Sequence, residues 1–417
     1  MKKTIILGMI ALMAIYTSCK STNAKTTTKN KTEESMNNDY DDTPAYIELS
    51  DSERKLVSSN NDFAFNLMRG IQNDNSQIIS PLSITYALGM LNNGAVGNTQ
   101  KEINTTLGFN NADEVNAFCQ KMLVNAPTLD KKTKVLIGNT VFVNKAYKLN
   151  KDFVSIANKY YDAEPENRNF ADGKTLDVIN KWASDHTENM IDKVLDESEF
   201  NPNAVSYLLN AIYFKGIWSE KFDKKNTQDE PFNDKTKVKM MQQSKSFRYY
   251  DDEMLQAVNL PYGNGAYQLT VLLPQKGKNN VKELLSKLDN KEWNRIQSSM
   301  RKCNVKLKLP RFETKTDINL KKIMSSLGMP TAFTPSAEFE KFCNSRTYIE
   351  MMKQVAKIKL DEEGTEAAAV TVIGLAKTSA VSEPPRNVEF IADHSFLYVI
   401  SERSTGAIFF IGQFTGK

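Results

Sequence analysis

Residues 362–371, Glu-Glu-Gly-Thr-Glu-Ala-Ala-Ala-Val-Thr, constrain this chain more than any other stretch. They pass from acidic to very small to β-branched, and lead into an apolar, basic and Pro-ended run, Val372 to Pro385, that cannot serve as an ordinary core strand. Small residues tolerate burial without demanding it. From Thr365 onward, alternate positions read Thr365, Ala367, Ala369, Thr371, Ile373 and Leu375, all small or apolar and none charged. The other set, Glu366, Ala368, Val370, Val372, Gly374 and Ala376, carries one charge, close to the acidic end. Successive strand residues point to opposite faces of a sheet, so the stretch suits a strand with one face buried, yet it can also stand in solvent. Such a stretch is what a strand needs if it sits outside the fold in one state and inside a sheet in another. Gly364 supplies backbone freedom at the start, Glu362 and Glu363 are expected to stay outside, and no proline between 362 and 383 forbids a ladder bond.

The gain from such an insertion is large. About 15 residues gaining ladder bonds on both sides, at roughly 1 kcal/mol net per bond, would release on the order of 15–30 kcal/mol. A typical domain is stable by only about 5–15 kcal/mol, so the uninserted fold would be a kinetic trap.

The 417 residues suffice for one large domain or two ordinary ones. No internal repeat and no Gly/Pro-rich linker divides the chain beyond residue 47. Helical spacing marks Asn61–Ile71, Ile84–Asn92 (with Ser80 as N-cap and Pro81 in the first turn), Thr99–Leu107, Asp152–Tyr161 and Lys174–Thr187. Strand signals follow at Val135–Val143, Ala204–Phe214, Tyr267–Leu273, Val305–Leu309, Ala356–Asp361, Val388–Ile391, Phe396–Ser401 and Ile408–Phe414. Helices first, then interleaved sheets, then a strand-rich end argue for one mixed α+β domain with large sheets rather than a doubly wound fold.

Composition excludes several functions. The net charge of +4 is spread along the chain, and no Lys/Arg block is dense enough for a nucleic-acid footprint. Two histidines, His186 and His394, leave little room for a His-rich metal site. Asp393-His394-Ser395 is no triad, because adjacent residues do not by themselves make the relay geometry. Cys19, Cys119, Cys303 and Cys343 fit no zinc spacing and read as free, the last three buried. No metal and no cofactor is expected.

The N-terminus reads as a targeting segment. Lys2 and Lys3 precede a 12-residue apolar stretch, Ile5–Tyr16, too short to span a bilayer comfortably. Thr17-Ser18-Cys19 resembles a bacterial lipoprotein cleavage site, with Tyr16 where an aliphatic residue is usual. On that reading residues 1–18 are removed, Cys19 becomes the acylated N-terminus, and residues 19–46, poor in apolar side chains, form a disordered tether. The protein is then extracytoplasmic, lipid-anchored to a bacterial outer membrane; an ordinary secretory signal would release it.

Across about residues 55–417 the chain closely resembles the serpin family. The motifs are Asn61–Leu67, Ile79-Ser-Pro-Leu-Ser-Ile84, Ala87–Leu91 with Gly94–Thr99, Leu209–Trp218 with Phe222, Leu260-Pro-Tyr262, Leu272-Leu-Pro274, Leu309-Pro-Arg-Phe312, Leu327-Gly-Met329, Phe390–Phe396 and Gly406–Gly412. Each is weak alone; their joint order is specific. Two departures stand out: Ser395 where a proline usually follows the histidine, and Gln354 where the strand before the hinge usually carries a histidine.

The resemblance implies a single domain over 47–417 with three β-sheets, eight to nine helices and an exposed reactive loop at about 362–385. It implies suicide inhibition: a protease attacks the loop, and the cleaved loop inserts into the main sheet before the acyl-enzyme hydrolyses. The hinge would be Glu362, Glu363, Gly364, Thr365, Glu366, Ala367, Ala368 and Ala369. The sheet-opening region would comprise Ser80, Ser83, Asn210, Trp218 and Gln354, whose amide can donate and accept as a histidine does. Family spacing from Glu362 puts the cleaved residue at Thr378, whereas Lys377, one place earlier, suits the acidic pocket of trypsin-like enzymes. Lys377–Thr378 and Thr378–Ser379 are therefore both candidates. Leu375 or Ile373 would serve elastase- or subtilisin-like proteases, and Lys-specific cysteine proteases are further partners. The protein is expected to be a monomer and no enzyme. The alternatives are a non-inhibitory member acting as a surface binding protein and a partner-binding lipoprotein for which the fold is only a scaffold.

Overall fold

The computed structural model describes residues 45–365 and 384–417. Among them are nine α-helices: α1 Asp51–Ile71, α2 Pro81–Asn92, α3 Gly97–Leu107, α4 Ala112–Asn125, α5 Lys151–Tyr161, α6 Thr175–His186, α7 Val281–Lys287, α8 Asn290–Ser299 and α9 Lys321–Ser326. The fifteen strands are β1 Gln77–Ile79, β2 Thr133–Asn144, β3 Glu166–Arg168, β4 Ser206–Ile217, β5 Gln228–Phe232, β6 Thr236–Asp251, β7 Leu255–Tyr262, β8 Tyr267–Pro274, β9 Arg301–Pro310, β10 Phe312–Asn319, β11 Met351–Leu360, β12 Gly364–Thr365, β13 Asn387–Ile391, β14 Phe396–Glu402 and β15 Ile408–Phe414.

The strands make two hydrogen-bonded sheets. One is six-stranded, in the order β10-β11-β12-β4-β2-β3, with β11 also pairing directly to β4. The other is nine-stranded, in the order β1-β15-β14-β8-β7-β6-β9-β13, with β5 on β6. The 16-residue β6 is a joint. Its last residues, Arg248–Asp251, pair with β7, while Met240–Tyr249 pair with β9 and Thr236–Met240 with β5. The nine strands therefore form two blades, and the expected three-sheet α+β architecture is present with two of its sheets continuous through β6.

Local chemistry accounts for the elements that position the site. Helix α1 starts in a reciprocal capping box between Ser50 and Glu53, which satisfies two backbone donors that its first turn would otherwise leave free. Helix α2 has Ser80 as N-cap and Pro81 at its first position, and all twelve of its residues are buried. A helix apolar all round belongs inside, and α2 lies in the main core. In β8, β14 and β15 every residue is buried, as near-continuous apolar runs require, whereas β9 alternates and keeps one face wet.

The six-stranded sheet has a core on each face. Leu208, Ile212 and Phe214 of β4 enter the main core, and Tyr207, Leu209 and Ala211 enter a second one beneath α6. The chain after α6 extends that cover, burying Ile191, Val194 and Leu195. Asn180 of α6 holds it there, accepting at Oδ1 from the amides of Val194 and Leu195 (2.9 and 3.0 Å) and donating to the Leu195 carbonyl (2.9 Å). Cys119, Cys303 and Cys343 are free, buried thiols.

Candidate functional site

The parallel strands β4 and β11 lie side by side, paired from Met351 opposite Tyr207 to Ala356 opposite Ile212. Beyond Ala356 they part, and β12 lies between them. Thr365 opposes Leu360 on one side and Gly216 on the other, and Gly364 opposes Ile217. The first two residues of the hinge strand thus already sit in the sheet, while the seam below is closed.

Gly364 fits there for a reason more specific than freedom at a turn. Its φ is +156°, and a Cβ would lie 2.0 Å from the Gly216 carbonyl oxygen and 2.8 Å from Ile217 Cα. Only a residue without a side chain lets the two backbones meet. Thr365 is fully buried, and its hydroxyl lies 2.6 Å from that of Tyr262. Trp218 closes the end of the wedge: its ring stacks on Tyr262 at 4.4 Å, its indole N–H donates to the Asp361 carbonyl (2.8 Å), and its amide donates to that of Glu363 (2.9 Å).

The expectation that both hinge glutamates stay outside is corrected for Glu362, which is 2% exposed. Its carboxylate folds back onto the fold, accepting from the Thr227 hydroxyl (2.8 Å) and facing the Arg311 guanidinium at 3.7 Å. A buried carboxylate needs such partners. Both come from distant parts of the chain, so no local pattern announces them. Glu363 is half-buried, with Lys221 at 2.6 Å and Lys224 at 3.3 Å. The hydrogen bond from Lys221 outweighs burial and holds the Glu363 carboxyl below its ordinary pKa. A depressed carboxyl stabilises the fold above its unfolded pKa of about 4.3 and loses that effect as pH falls further.

Ser80, Ser83, Asn210 and Gln354 meet in one buried cluster on the α2 side of the seam. The Gln354 side chain accepts from the Ser80 amide (3.0 Å) and donates to the Ser80 carbonyl (3.1 Å) and to Asn210 Oδ1 (2.7 Å). Asn210 donates in turn to Ser83 and to Asn139 Oδ1 (2.7 Å). The Ser80 hydroxyl donates to the Phe409 carbonyl (2.7 Å). The bond between Gln354 and Asn210 bridges β11 and β4, so parting the strands breaks it. Asn139 is the member that sequence reasoning passes over; a lone amide within the apolar run of β2 was its signal. Trp218 lies at the far end of β4, in the hinge rather than in this cluster.

No member of the cluster titrates between pH 5 and 8. The contribution of this cluster to the half-life of the native fold at a fixed elevated temperature is therefore expected to be flat from about pH 5.5 to 8. In Gln354→His the half-life should shorten on the acidic side, because a protonated imidazole cannot accept the Ser80 N–H. The same pH profile in the variant and the unsubstituted protein would contradict this.

The remaining candidates are placed as follows. His394 has Nδ1 2.7 Å from Asp393 Oδ1 and Nε2 2.8 Å from the Pro274 carbonyl, while the amide of Ser395 donates to Asn233 Oδ1 (3.1 Å). A proline at 395 would have no N–H for that bond, which gives the departure a local purpose. His186 packs against Trp182 in a tilted arrangement, ring centroids 4.8 Å apart, at the exposed end of α6. Cys19, Glu366, Ala367, Ala368, Ala369, Lys377, Thr378 and Ser379 lie outside the described residues.

Comparison with known proteins identifies the fold and the family. The family described as Serpin (serine protease inhibitor) matches residues 58–416. Human Serpin B4 is 30% identical over 389 residues, covering 86% of this chain and 99% of that protein. The native-state crystal structure of tengpin, a thermophilic serpin, superposes with a TM-score of 0.80 at 26% identity, covering 89% of this chain and 96% of that one. Human thyroxine-binding globulin in complex with thyroxine gives 0.79 at 27% identity, covering 87% and 98%. The match runs through both lips of the seam, the polar cluster beneath it and the strand that starts to fill it, and on that basis the chain belongs to the serpin family.

Proposed function

We propose that the protein is a suicide-substrate inhibitor of trypsin-like serine proteases, with a reactive bond at Lys377–Thr378 or Thr378–Ser379. The observation that carries this reading is the two-residue β12 strand in a seam otherwise closed. The protease nucleophile adds to the scissile carbonyl, the peptide bond breaks, and the new amino terminus leaves. The loop, still ester-linked to the protease, then inserts from Thr365 along the seam. Continuing the observed register gives a specific expectation: six residues past Thr365, Thr371 falls opposite Gln354 and Asn210, six residues back from Leu360 and Gly216 respectively. Its hydroxyl would arrive where the bond between Gln354 and Asn210 is lost, so the polar cluster is not left unpaired.

The N-terminal reading complements this: a chain acylated at Cys19, tethered through residues 19–46 and displaying a monomeric inhibitor outside the cytoplasm. Family membership supports protease inhibition in general, but thyroxine-binding globulin shares the fold, and the main alternative is a non-inhibitory surface binding protein. The hinge sequence favours the inhibitor. Apart from Glu366, which falls in the alternate set to Thr365, residues 364–369 are glycine, threonine and alanine, without the bulk that would oppose insertion.

Incubation with trypsin followed by a denaturing gel tests the reading. A covalent high-mass band is expected, and the intact mass of the released C-terminal fragment gives the cleaved bond. Simple cleavage without the band would support the binding protein. Lys377→Ala should lower the rate of trypsin trapping by roughly a hundredfold or more, since its ammonium is a principal contact in the specificity pocket. It should spare at least one elastase-like enzyme. Trypsin trapped at the normal rate by this variant would refute the Lys377 assignment.

A further inference from the structure

Lys353 follows Met352 on β11 and precedes Gln354, but faces the α6 side of the sheet, where its neighbours Met351 and Val355 join the second core. Its side chain is 2% exposed. A lysine is almost never buried this deeply unless paired. Its ammonium lies 2.6 Å from Glu199 Oε2 and 2.9 Å from Asp317 Oδ1. Burial works against the charged form, but the hydrogen bonds to Asp317 and Glu199 outweigh it and raise the pKa, so Lys353 stays charged.

The two carboxylates differ in where they are anchored. Asp317 is on β10, the neighbour of β11 on the side away from β4, and travels with Lys353. Glu199 belongs to the chain that leads into β4 and is fastened there. Phe200 stacks on Tyr207 of β4 at 5.8 Å, and the Asn201 amide donates to the Tyr207 hydroxyl (2.6 Å). The bond to Glu199 therefore crosses the seam between β4 and β11, and the bond to Asp317 does not.

We infer that the contact between Lys353 and Glu199 is a latch across this seam, and that these two positioning residues set the rate at which the sheet opens. The inference rests on the loop insertion proposed above. To admit a strand, β4 and β11 must move apart by one further strand spacing of about 4.8 Å. A 2.6 Å contact anchored on both lips does not survive that displacement. An interaction present in the closed state and absent at the opening barrier slows the opening by its full worth. Neither residue touches the protease or the reactive bond.

Glu199→Gln and Asp317→Asn each leave Lys353 one carboxylate, which gives a matched pair. Insertion is followed by tryptophan fluorescence in stopped flow after excess subtilisin cuts the loop. Glu199→Gln is expected to insert about tenfold faster than the unsubstituted protein, the effect of losing one charged hydrogen bond. Asp317→Asn should stay within about twofold, although both lower the thermal midpoint similarly. Equal rates in the two variants, or an unchanged rate in Glu199→Gln, overturn the latch. An unsubstituted protein that is cut but shows no insertion phase and gains no heat resistance overturns the proposed function and the latch together. One that inserts yet leaves no covalent band with trypsin overturns trapping alone, and the latch then stands or falls on the two rates.

Discussion

Thr365→Arg is expected to be cut by trypsin at the normal rate and to trap none of it. Thr365 is fully buried between β11 and β4, with its hydroxyl on that of Tyr262. An arginine there would have to bring a guanidinium into the core between the sheets, with no carboxylate among the contacts of Thr365 to receive it. Burying an unpaired charge costs several kcal/mol. Trapping is a race between insertion and hydrolysis of the acyl-enzyme, and each 1.4 kcal/mol on the insertion barrier is about a factor of ten in that race. A penalty of about 3 kcal/mol therefore slows insertion more than a hundredfold and hands the outcome to hydrolysis. The resting fold should survive, because β12 can leave the seam while β4 and β11 keep their other pairings. The measurements are the number of inhibitor molecules consumed per protease inactivated and the covalent band on a denaturing gel. Thr365→Ser, which keeps the hydroxyl, should behave nearly as the unsubstituted protein. An undiminished band from Thr365→Arg would sink the insertion argument.

The second large effect is expected at Glu362. A lysine in its place puts an ammonium in a nearly closed site facing the Arg311 guanidinium and takes away the acceptor for Thr227. Arg311 is about half exposed, which screens the pair. The cost is therefore that of an unpaired charge on a buried stem and a lost acceptor, about 2–3 kcal/mol. That is still a large part of the roughly 5–15 kcal/mol that holds a domain together. The thermal midpoint should fall by about 3 °C or more. Released from its anchor, the hinge leaves the seam, and the facing edges of β4 and β11 become templates for a strand of another molecule. Loss of monomer on size exclusion after hours at 37 °C should accompany the lower midpoint. Glu362→Gln, which can still accept from Thr227, separates charge from hydrogen bonding and should lie in between. A melting temperature for Glu362→Lys within a degree of the unsubstituted protein would show that this carboxylate does not anchor the hinge.

The two positions show what the sequence could and could not reveal. Thr365 was legible because its burial follows from a period of two, a property of neighbouring residues. Strands such as β4 and β8 were legible for a similar reason, since burial on both faces leaves an unbroken apolar run. Helix α2 announced itself through Ser80 and Pro81. Elements built for a wet face were not legible. The periodicity reading passes over α4, whose buried face mixes Asn116 with Val115, Phe118, Cys119 and Met122, and over β6, which is rich in Lys, Gln and Ser and stands only because β5, β7 and β9 pair with it. The first ten residues of α1 carry only Leu56 and Val57 as apolar side chains, although the Ser50/Glu53 capping box lay open to view. Glu362 was misjudged because its partners, Thr227 and Arg311, lie 135 and 51 residues away along the chain. The Ser80–Gln354 bonds span 274 residues, and only the family resemblance brought those two together beforehand.

The small strand β12 bears on timing. Bringing a free segment to the mouth of a sheet is the step that carries the entropy of loop closure. With Thr365 already paired on both sides and Gly364 on the β4 side, that encounter is already made in the resting fold. On the proposed mechanism, cleavage would release a zipper with its slider engaged: nucleation would be over, and each later residue would add bonds at a front that already exists. The protease would then run its hydrolytic clock against propagation alone.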